Sequence, residues 1–199
     1  MNKDAALLII DVQNDFCPNG ALAVPLGDRV IEPLNSVAGF FAAEGLPVIA
    51  SRDWHPNITR HFKEYGGVWP VHCVQDTAGA AFHPNLHLPD GTLVITKGND
   101  PDSDSYSAFD GRDAHNTVLG EVLTELKAKH LIVGGLATDY CVKTSVLDAL
   151  KAGFNVTLLV DAMAGVDVVP GDSEKAFEQM KTAGARVCMA DDVIKLLHH

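Results

Sequence analysis

Short apolar runs alternate with segments of helical periodicity along most of the chain. The apolar runs predict strands over residues 5–10, 47–52, 92–96, 130–135 and 154–160, with a short strand near 186–189. Apolar residues at helical spacing predict helices over about 30–43, 116–128, 140–152 and 173–183, and a final helix from about 191. This alternation is typical of right-handed β-α-β crossovers. We therefore expect an α/β fold, a three-layer sandwich around a mostly parallel, Rossmann-like sheet of roughly six strands.

A single domain is expected across residues 1–199, because no change in composition marks a boundary. The least regular part is the stretch 54–91, which contains four prolines and five of the nine histidines. A loop of this length is usually functional or disordered. Its aromatic residues, among them Trp54, Phe62 and Trp69, favour order, since disordered segments contain few aromatic side chains.

The composition indicates a soluble protein that acts on small molecules. Hydrophobic residues make up 47% of the chain and charged residues 21%, as in ordinary globular domains. The formal net charge of -11 argues against a nucleic-acid or anionic-membrane partner. No apolar run approaches the roughly 18 residues that span a bilayer, and the N-terminus lacks a signal-peptide layout. We therefore expect a cytoplasmic protein with free thiols, whose assembly into a homo-oligomer the sequence leaves open.

Chemically active residues follow the first four predicted strands. Asp11, Asp53 and Lys97 come just after the first three strands, and Cys141 follows the fourth. The carboxyl ends of parallel strands meet at one edge of a sheet, which is where open α/β sheets bind ligands. The pattern predicts that a thiol, an ammonium group and two carboxylates converge at this edge.

Cys141 lies where a strand gives way to a helix, which favours a reactive thiol. Unpaired amides and the dipole at a helix start can draw a cysteine pKa down to between roughly 3.5 and 7.5, and the same amides can bind an oxyanion. No histidine lies near Cys141 in sequence, so we expect Asp11 to carry the proton and Lys97 to help stabilise the thiolate. A structural cysteine beside a buried Asp11–Lys97 ion pair is the alternative, which the predicted convergence disfavours.

A second group of candidate residues consists of Asp53, His55 and His61 after the second strand, and His72 later in the same loop. Carboxylate and imidazole groups suit zinc, iron or manganese. An Asp-x-His pattern alone is a weak signal, and ordinary surface histidines are the simpler interpretation without further evidence. Two more histidines in an aromatic-rich loop make a metal site over about 53–91 a reasonable hypothesis.

Six motifs follow one another along the chain, IIDVQNDF from Ile9, DWH from Asp53, WPVHC from Trp69, TKG from Thr96, YSAF from Tyr106 and GLATDYCV from Gly135. This ordered set resembles the nicotinamidase and pyrazinamidase branch of the isochorismatase-like cysteine hydrolases. Each motif is modest evidence, but the set spans residues 5 to about 165. One departure is Asn19-Gly20, where many relatives have paired glycines, and asparagine tolerates a left-handed turn well.

The resemblance implies a metal-dependent amidase that converts nicotinamide to nicotinate and ammonia through a cysteine thioester, and that also cleaves pyrazinamide. Cys141 would be the nucleophile, Asp11 the proton carrier and Lys97 its partner. The backbone amides of Ala137 and Cys141 would form the oxyanion hole, beside a cis peptide bond before Ala137.

The resemblance also implies a ligand set and a substrate pocket. One divalent metal ion, with zinc first and iron or manganese as alternatives, would be held by Asp53, His55, His72 and His61. The substrate ring would lie against Phe16, Trp69, Tyr106 and Ala137.

Three other functions remain as alternatives from the sequence. A related amidase of the same superfamily that acts on carbamoyl or ureido compounds would generally lack the metal ligands. A non-catalytic flavodoxin-like binding module is disfavoured, because no glycine-rich phosphate loop follows the first strand. A thiol redox protein is also disfavoured, because no resolving cysteine lies near Cys141.

Overall fold

The computed structural model describes the backbone of residues 4–198 and the side chains of residues 4–197. Its centre is a parallel sheet of six strands, in the order β3-β2-β1-β4-β5-β6. The strands are β1 Ala5–Ile10, β2 Val48–Asp53, β3 Leu93–Lys97, β4 His130–Leu136, β5 Asn155–Ala164 and β6 Arg186–Cys188. The expected fold class is confirmed, whereas the expected limits at residues 1 and 199 lie outside the described residues.

Helices cover both faces of the sheet. They are α1 Ile31–Ala43, α2 Leu119–Glu125, α3 Lys143–Lys151, α4 Asp172–Thr182 and α5 Ala190–His198. No helix in the described part of the chain is both long and apolar enough to cross a membrane.

Two apolar cores follow from the alternation of side chains along buried strands. In β1, Leu7 and Ile9 face the core that includes α1 and α5, while Leu8 and Ile10 face the core that includes α2, α3 and α4. A strand buried on both faces is apolar at every position, which explains the continuous run in β1.

Three elements differ from their predicted bounds by three residues or more. Helix α2 is shorter than predicted, since Asp113 binds the amides of His115 and Thr117 in a turn before it, and Lys127 adopts φ 57° after it. Strand β5 extends beyond residue 160, because a bulge restores its pairing with β4 up to Ala164. Before α3, residues Thr138–Val142 form a π-helical turn.

The stretch 54–91 is ordered and contains little regular structure. Its only helical turn among the described residues is the short 3₁₀ segment Lys63–Tyr65. Isolated bridges join His55 to Val74 and Phe62 to Trp69, so the stretch folds back over the carboxyl end of β2.

Candidate active site

Four polar side chains converge at the carboxyl edge of the sheet. Asp11 follows β1 with φ 48°, while Asp53 and Lys97 end β2 and β3 as register partners. Cys141 belongs to the π-helical turn after β4. All four are buried, and Asp11 has no measurable exposure. The structure therefore brings together the groups that the sequence predicted at this edge.

The Lys97 ammonium is the centre of this group. Its Nζ lies 2.9 Å from Asp11 Oδ2 and 3.5 Å from Cys141 Sγ, and it also donates a hydrogen bond to Asp53 Oδ1. The Ser51 hydroxyl donates to Asp11 Oδ1 at 2.7 Å. The amine, the two carboxylates and the thiol form one contiguous polar cluster.

The pKa values of the charged groups reflect opposing effects of burial and charge. Burial lowers the pKa of Lys97, but Asp11 and Asp53 outweigh it and hold the ammonium pKa well above its usual value. For Asp53, Lys97 and His55 outweigh burial, so the pKa lies below its usual range. For Asp11, burial prevails over Lys97 and raises the pKa. Asp11 is therefore the more basic of the two carboxylates.

Cys141 differs from its sequence expectation. Burial, together with Asp11 and Asp53, raises the pKa of the thiol well above its usual value, although Lys97 opposes the shift. The expected lowering by a helix start is wrong for this site, because the thiol is enclosed beside two carboxylates. Cys141 therefore rests as a protonated thiol that needs a neighbouring base.

Three histidine rings form a second cluster beside the first. Nitrogen atoms of His55, His61 and His72 lie within 4.8 Å of one another, and all three residues are buried. The rings of His55 and His61 stack with their centroids 4.5 Å apart. Burial lowers the pKa of His61, and it lowers that of His72 to about 4, so these two imidazoles are neutral.

The cluster offers a metal ion the ring nitrogens that its hydrogen bonds leave unused. Each Nδ1 has an oxygen partner, from Gly98 for His55, Asp104 for His61 and Pro70 for His72. Such contacts fix a tautomer in which Nε2 is free to bind a cation. His55 Nε2 is indeed buried with no hydrogen-bond partner. Three imidazoles in this arrangement suit a divalent transition metal.

Asp53 borders both clusters. One carboxylate oxygen binds Lys97, and the other lies 3.7 Å from His55 Nε2. An oxygen of Asp53 also falls within 4.8 Å of ligand atoms of Asp11 and Cys141. The predicted ligand thus faces the histidines with one oxygen while the other stabilises the lysine.

A small cavity opens between the two clusters. Its walls include the four residues predicted to surround a substrate, Phe16, Trp69, Tyr106 and Ala137. Four residues of the two clusters also line it, Asp53, His61, His72 and Cys141. The sequence interpretation missed the other three lining residues, Leu22, Tyr140 and Val166. Trp69 Nε1 donates to the Tyr106 hydroxyl at 2.9 Å, and the Tyr140 ring meets Trp69 edge-on. The walls are mainly aromatic and apolar, which suits a flat ring with one polar substituent.

The turn that carries Cys141 is held by its backbone and by Asp139. The peptide bond between Leu136 and Ala137 is cis, as the resemblance implies, and the Ala137 carbonyl accepts from the amides of Tyr140 and Val142. Asp139 accepts hydrogen bonds from two backbone amides of the segment that contains Val166, at 2.9 and 2.8 Å. The turn that carries Cys141 and one cavity wall are therefore built as a unit.

Supporting residues are the main omission of the sequence interpretation. Gln13 is fully buried, and its amide group pairs with both backbone groups of Asp53. Ser51 contacts Asp11, and Asp104 contacts His61. Gln13 lies within a motif, but nothing in the sequence indicated its partner across the sheet.

A larger surface groove lies elsewhere, lined by Asp28, Glu32, His83 and His87 among others. It contains none of the residues of the two clusters. Its size reflects open surface, and the converging polar groups belong to the smaller cavity.

Comparison with known proteins agrees with this architecture. A family model described as the isochorismatase domain matches residues 5–192. The nicotinamidase of Escherichia coli (strain K12) is 44% identical over 196 residues, which cover 90% of this chain and 92% of that protein.

Two solved structures are similar over nearly the whole chain. The pyrazinamidase of Pyrococcus horikoshii in complex with zinc has a TM-score of 0.86 and 42% identity, covering 94% of this chain and 99% of that one. PnC1 of L. infantum in complex with nicotinate has a TM-score of 0.86 and 34% identity, covering 96% and 95%. The chain belongs to the isochorismatase domain family.

Proposed function

We infer that this protein is a cysteine amidohydrolase that converts nicotinamide to nicotinate and ammonia, and pyrazinamide to pyrazinoate. The observation that carries this inference is the buried cluster of Cys141, Lys97 and Asp11 beside the three-histidine cluster. Cys141 of the first cluster and His61 and His72 of the second line one aromatic cavity. The similarity to the E. coli nicotinamidase and to the nicotinate complex supports the choice of a pyridine carboxamide.

The reaction begins with proton transfer from the Cys141 thiol to Asp11. Asp11 Oδ1 accepts from Ser51, so the proton passes to Oδ2, whose other partner is Lys97 Nζ at 2.9 Å. Burial raises the pKa of Asp11, which makes it a better base. Lys97 Nζ, 3.5 Å from Sγ, stabilises the thiolate that forms. The transfer moves one negative charge from Asp11 to sulfur, so the net charge of the buried cluster stays constant.

The thiolate then attacks the carboxamide carbon and forms a tetrahedral intermediate. The backbone amides of Ala137 and Cys141 hold the oxyanion. The intermediate collapses when the C–N bond breaks, and the proton on Asp11 moves to the departing ammonia. Asp11, again ionised, takes a proton from water, whose oxygen attacks the thioester, and the sulfur that leaves as nicotinate forms regains that proton.

The cavity walls orient the substrate. Phe16, Trp69 and Tyr106 enclose the ring with Ala137 beneath the carboxamide, so that its carbon faces Cys141. Because aromatic walls give apolar contact without conformational freedom, they hold the ring in an attacking geometry.

A divalent metal ion is part of this proposal, held by Asp53, His55, His61 and His72. Zinc is our first choice, with iron and manganese as alternatives, and the zinc complex of the P. horikoshii pyrazinamidase supports it. When bound, the ion supplies a Lewis-acidic anchor for the ring nitrogen of the substrate. The protein's own contribution is the buried set of imidazoles that would give such an ion its ligands.

The proposed location of the enzyme is the cytoplasm. The formal net charge of -11 supports an enzyme that acts on small molecules and not on nucleic acids or membranes. Sedimentation would establish whether it forms a homo-oligomer.

The test is ammonia release from nicotinamide and pyrazinamide by purified, metal-loaded protein. Cys141→Ala should abolish turnover while the protein still binds metal and nicotinamide. Cys17→Ala is a matched control, because Cys17 is equally buried but does not line the cavity. An enzyme inert to both amides but active on ureido compounds would identify the related carbamoyl amidase instead, and normal turnover by Cys141→Ala would exclude the mechanism.

Metal dependence needs a separate measurement. Chelation should remove activity, and Zn²⁺, Fe²⁺ and Mn²⁺ should be added back one at a time to identify the ion. His55→Ala should lower the metal content of the purified protein. Full activity in metal-free protein would contradict this part of the proposal.

A further inference from the structure

The three histidines of the proposed metal site are oriented by different kinds of group. His55 Nδ1 contacts the Gly98 carbonyl at 2.9 Å, and His72 Nδ1 contacts the Pro70 carbonyl at 2.8 Å. His61 Nδ1 instead contacts the carboxylate of Asp104, also at 2.8 Å. Among these three contacts, only that of His61 depends on the identity of a side chain.

The two partners of this contact lie in different environments. The His61 side chain is 4% exposed, while that of Asp104 is 61% exposed. The imidazole is therefore inside the site, and its carboxylate partner faces water. An imidazole N–H that donates to a carboxylate is fixed in one tautomer, and its other nitrogen becomes a stronger donor to a metal.

The backbone around Asp104 is docked by other contacts. The Pro101 carbonyl accepts from the Arg60 amide at 3.0 Å and from the Thr59 hydroxyl at 3.2 Å. The Ser105 carbonyl lies 3.5 Å from Lys97 Nζ. Loss of the Asp104 carboxylate should therefore leave the path of the segment intact and free only the His61 ring.

We propose that Asp104 is a positioning residue for the metal site, which sets metal affinity by orienting His61 and strengthening it as a ligand. This rests on the proposed metal-dependent function, and it adds a residue outside the ligand set. It also makes His61 the ligand whose strength can be changed from the surface of the protein.

The experiment measures Zn²⁺ affinity of the full chain by competition with a chromophoric chelator. Asp104→Ala removes the acceptor, and affinity should fall about 10- to 100-fold. Asp104→Asn keeps an acceptor oxygen without the charge, so its loss should be smaller. Asp102→Ala removes an equally acidic, exposed side chain from the same segment, and its affinity should stay within about twofold of wild type.

Two further readouts separate positioning from a general structural role. The metal-free melting temperature of Asp104→Ala should lie close to that of the metal-free wild type, because the variant loses a single hydrogen bond to an exposed carboxylate. With Co²⁺ in place of Zn²⁺, the visible absorption bands should change in Asp104→Ala and not in Asp102→Ala, since they report the ligand arrangement.

Unchanged Zn²⁺ affinity in Asp104→Ala would overturn the proposal, and so would an equal loss in Asp102→Ala, which would indicate only the net charge of the segment. A wild-type protein that binds no Zn²⁺ would instead overturn the metal site itself. That result would be seen before any variant was made.

Discussion

Replacing Ser51 by alanine should move the pH dependence of catalysis. The Ser51 hydroxyl donates to Asp11 Oδ1 at 2.7 Å, and both residues are fully buried. This hydrogen bond favours the ionised carboxylate and opposes the effect of burial on the Asp11 pKa. The substitution removes one oxygen and creates almost no cavity, so the change in the Asp11 pKa should dominate its effect.

The magnitude follows from the strength of the lost contact. A hydrogen bond to a charged group contributes about 1.5–3 kcal/mol, and one pKa unit corresponds to about 1.4 kcal/mol. The Asp11 pKa should therefore rise by about one to two units. Because Asp11 must be ionised to accept the Cys141 proton, activity is lost as pH falls through this pKa, and the acidic limb should shift to higher pH.

The assay is kcat/KM for nicotinamide across the pH range, measured as ammonia release. The acidic limb of this pH profile reports an apparent pKa of the coupled Asp11–Lys97–Cys141 cluster. The quantity compared is therefore the difference in this apparent pKa between variants. Ser145→Ala is the control, because the buried Ser145 hydroxyl accepts from the Ala108 amide and does not touch Asp11. It should lower the melting temperature and leave the limb in place. An unshifted limb in Ser51→Ala, or a shift to lower pH, would refute the reasoning.

Three further substitutions test other parts of the site. Lys97→Met should cost about 3–5 kcal/mol of stability, since two buried carboxylates lose their ammonium partner. In this variant the pKa values of Asp11 and Asp53 in the folded protein would lie above those in the unfolded chain, so the melting temperature of the variant should fall as pH rises. A melting temperature that does not change with pH would contradict this. Gly98→Ala should lower the metal content, because φ of Gly98 is +72° and an added Cβ would lie 2.6 Å from His55 Cε1. Gly91→Ala is the control and should keep its metal, because Gly91 also has a positive φ but an added Cβ there would meet no other atom. Equal metal content in the two variants would count against the proposed metal site. Asp139→Ala should raise KM for nicotinamide more than it lowers kcat, because two backbone amides beside the cavity lose their acceptor. Steady-state kinetics that show a change in kcat alone would argue against a role of Asp139 in shaping the cavity wall.

The sequence could predict which residues meet at the sheet edge, because parallel strands carry their end residues to one place. To place Asp11, Asp53, Lys97 and Cys141 there, the strand ends had to be correct only to within about one residue. Errors of up to three residues in the helix boundaries did not matter. The fold class followed from the same alternation of apolar runs and helical stripes.

What the sequence could not predict depends on contacts across the chain. The length of α2 is limited by side-chain hydrogen bonds of Asp113, which compete locally with the helix. The pKa of Cys141 depends on the depth of its burial and on carboxylates from other strands, which outweigh the helix start. The contact of Asp104 with His61 joins two loops, and no periodicity marks it.

Asp53 explains why the two clusters lie side by side. A buried ammonium needs compensation, and Lys97 has it from both Asp11 and Asp53. With a protonated thiol, two carboxylates and one ammonium leave the cluster with a net charge of about −1 in a dry site, which is costly on its own. The oxygen of Asp53 that does not bind Lys97 lies 3.7 Å from His55 Nε2, so the excess negative charge faces the histidine cluster. A cation among those rings would balance the negative charge that Asp11 and Asp53 introduce. For this reason a carboxylate at this position serves both clusters, where a neutral amide would supply charge to neither.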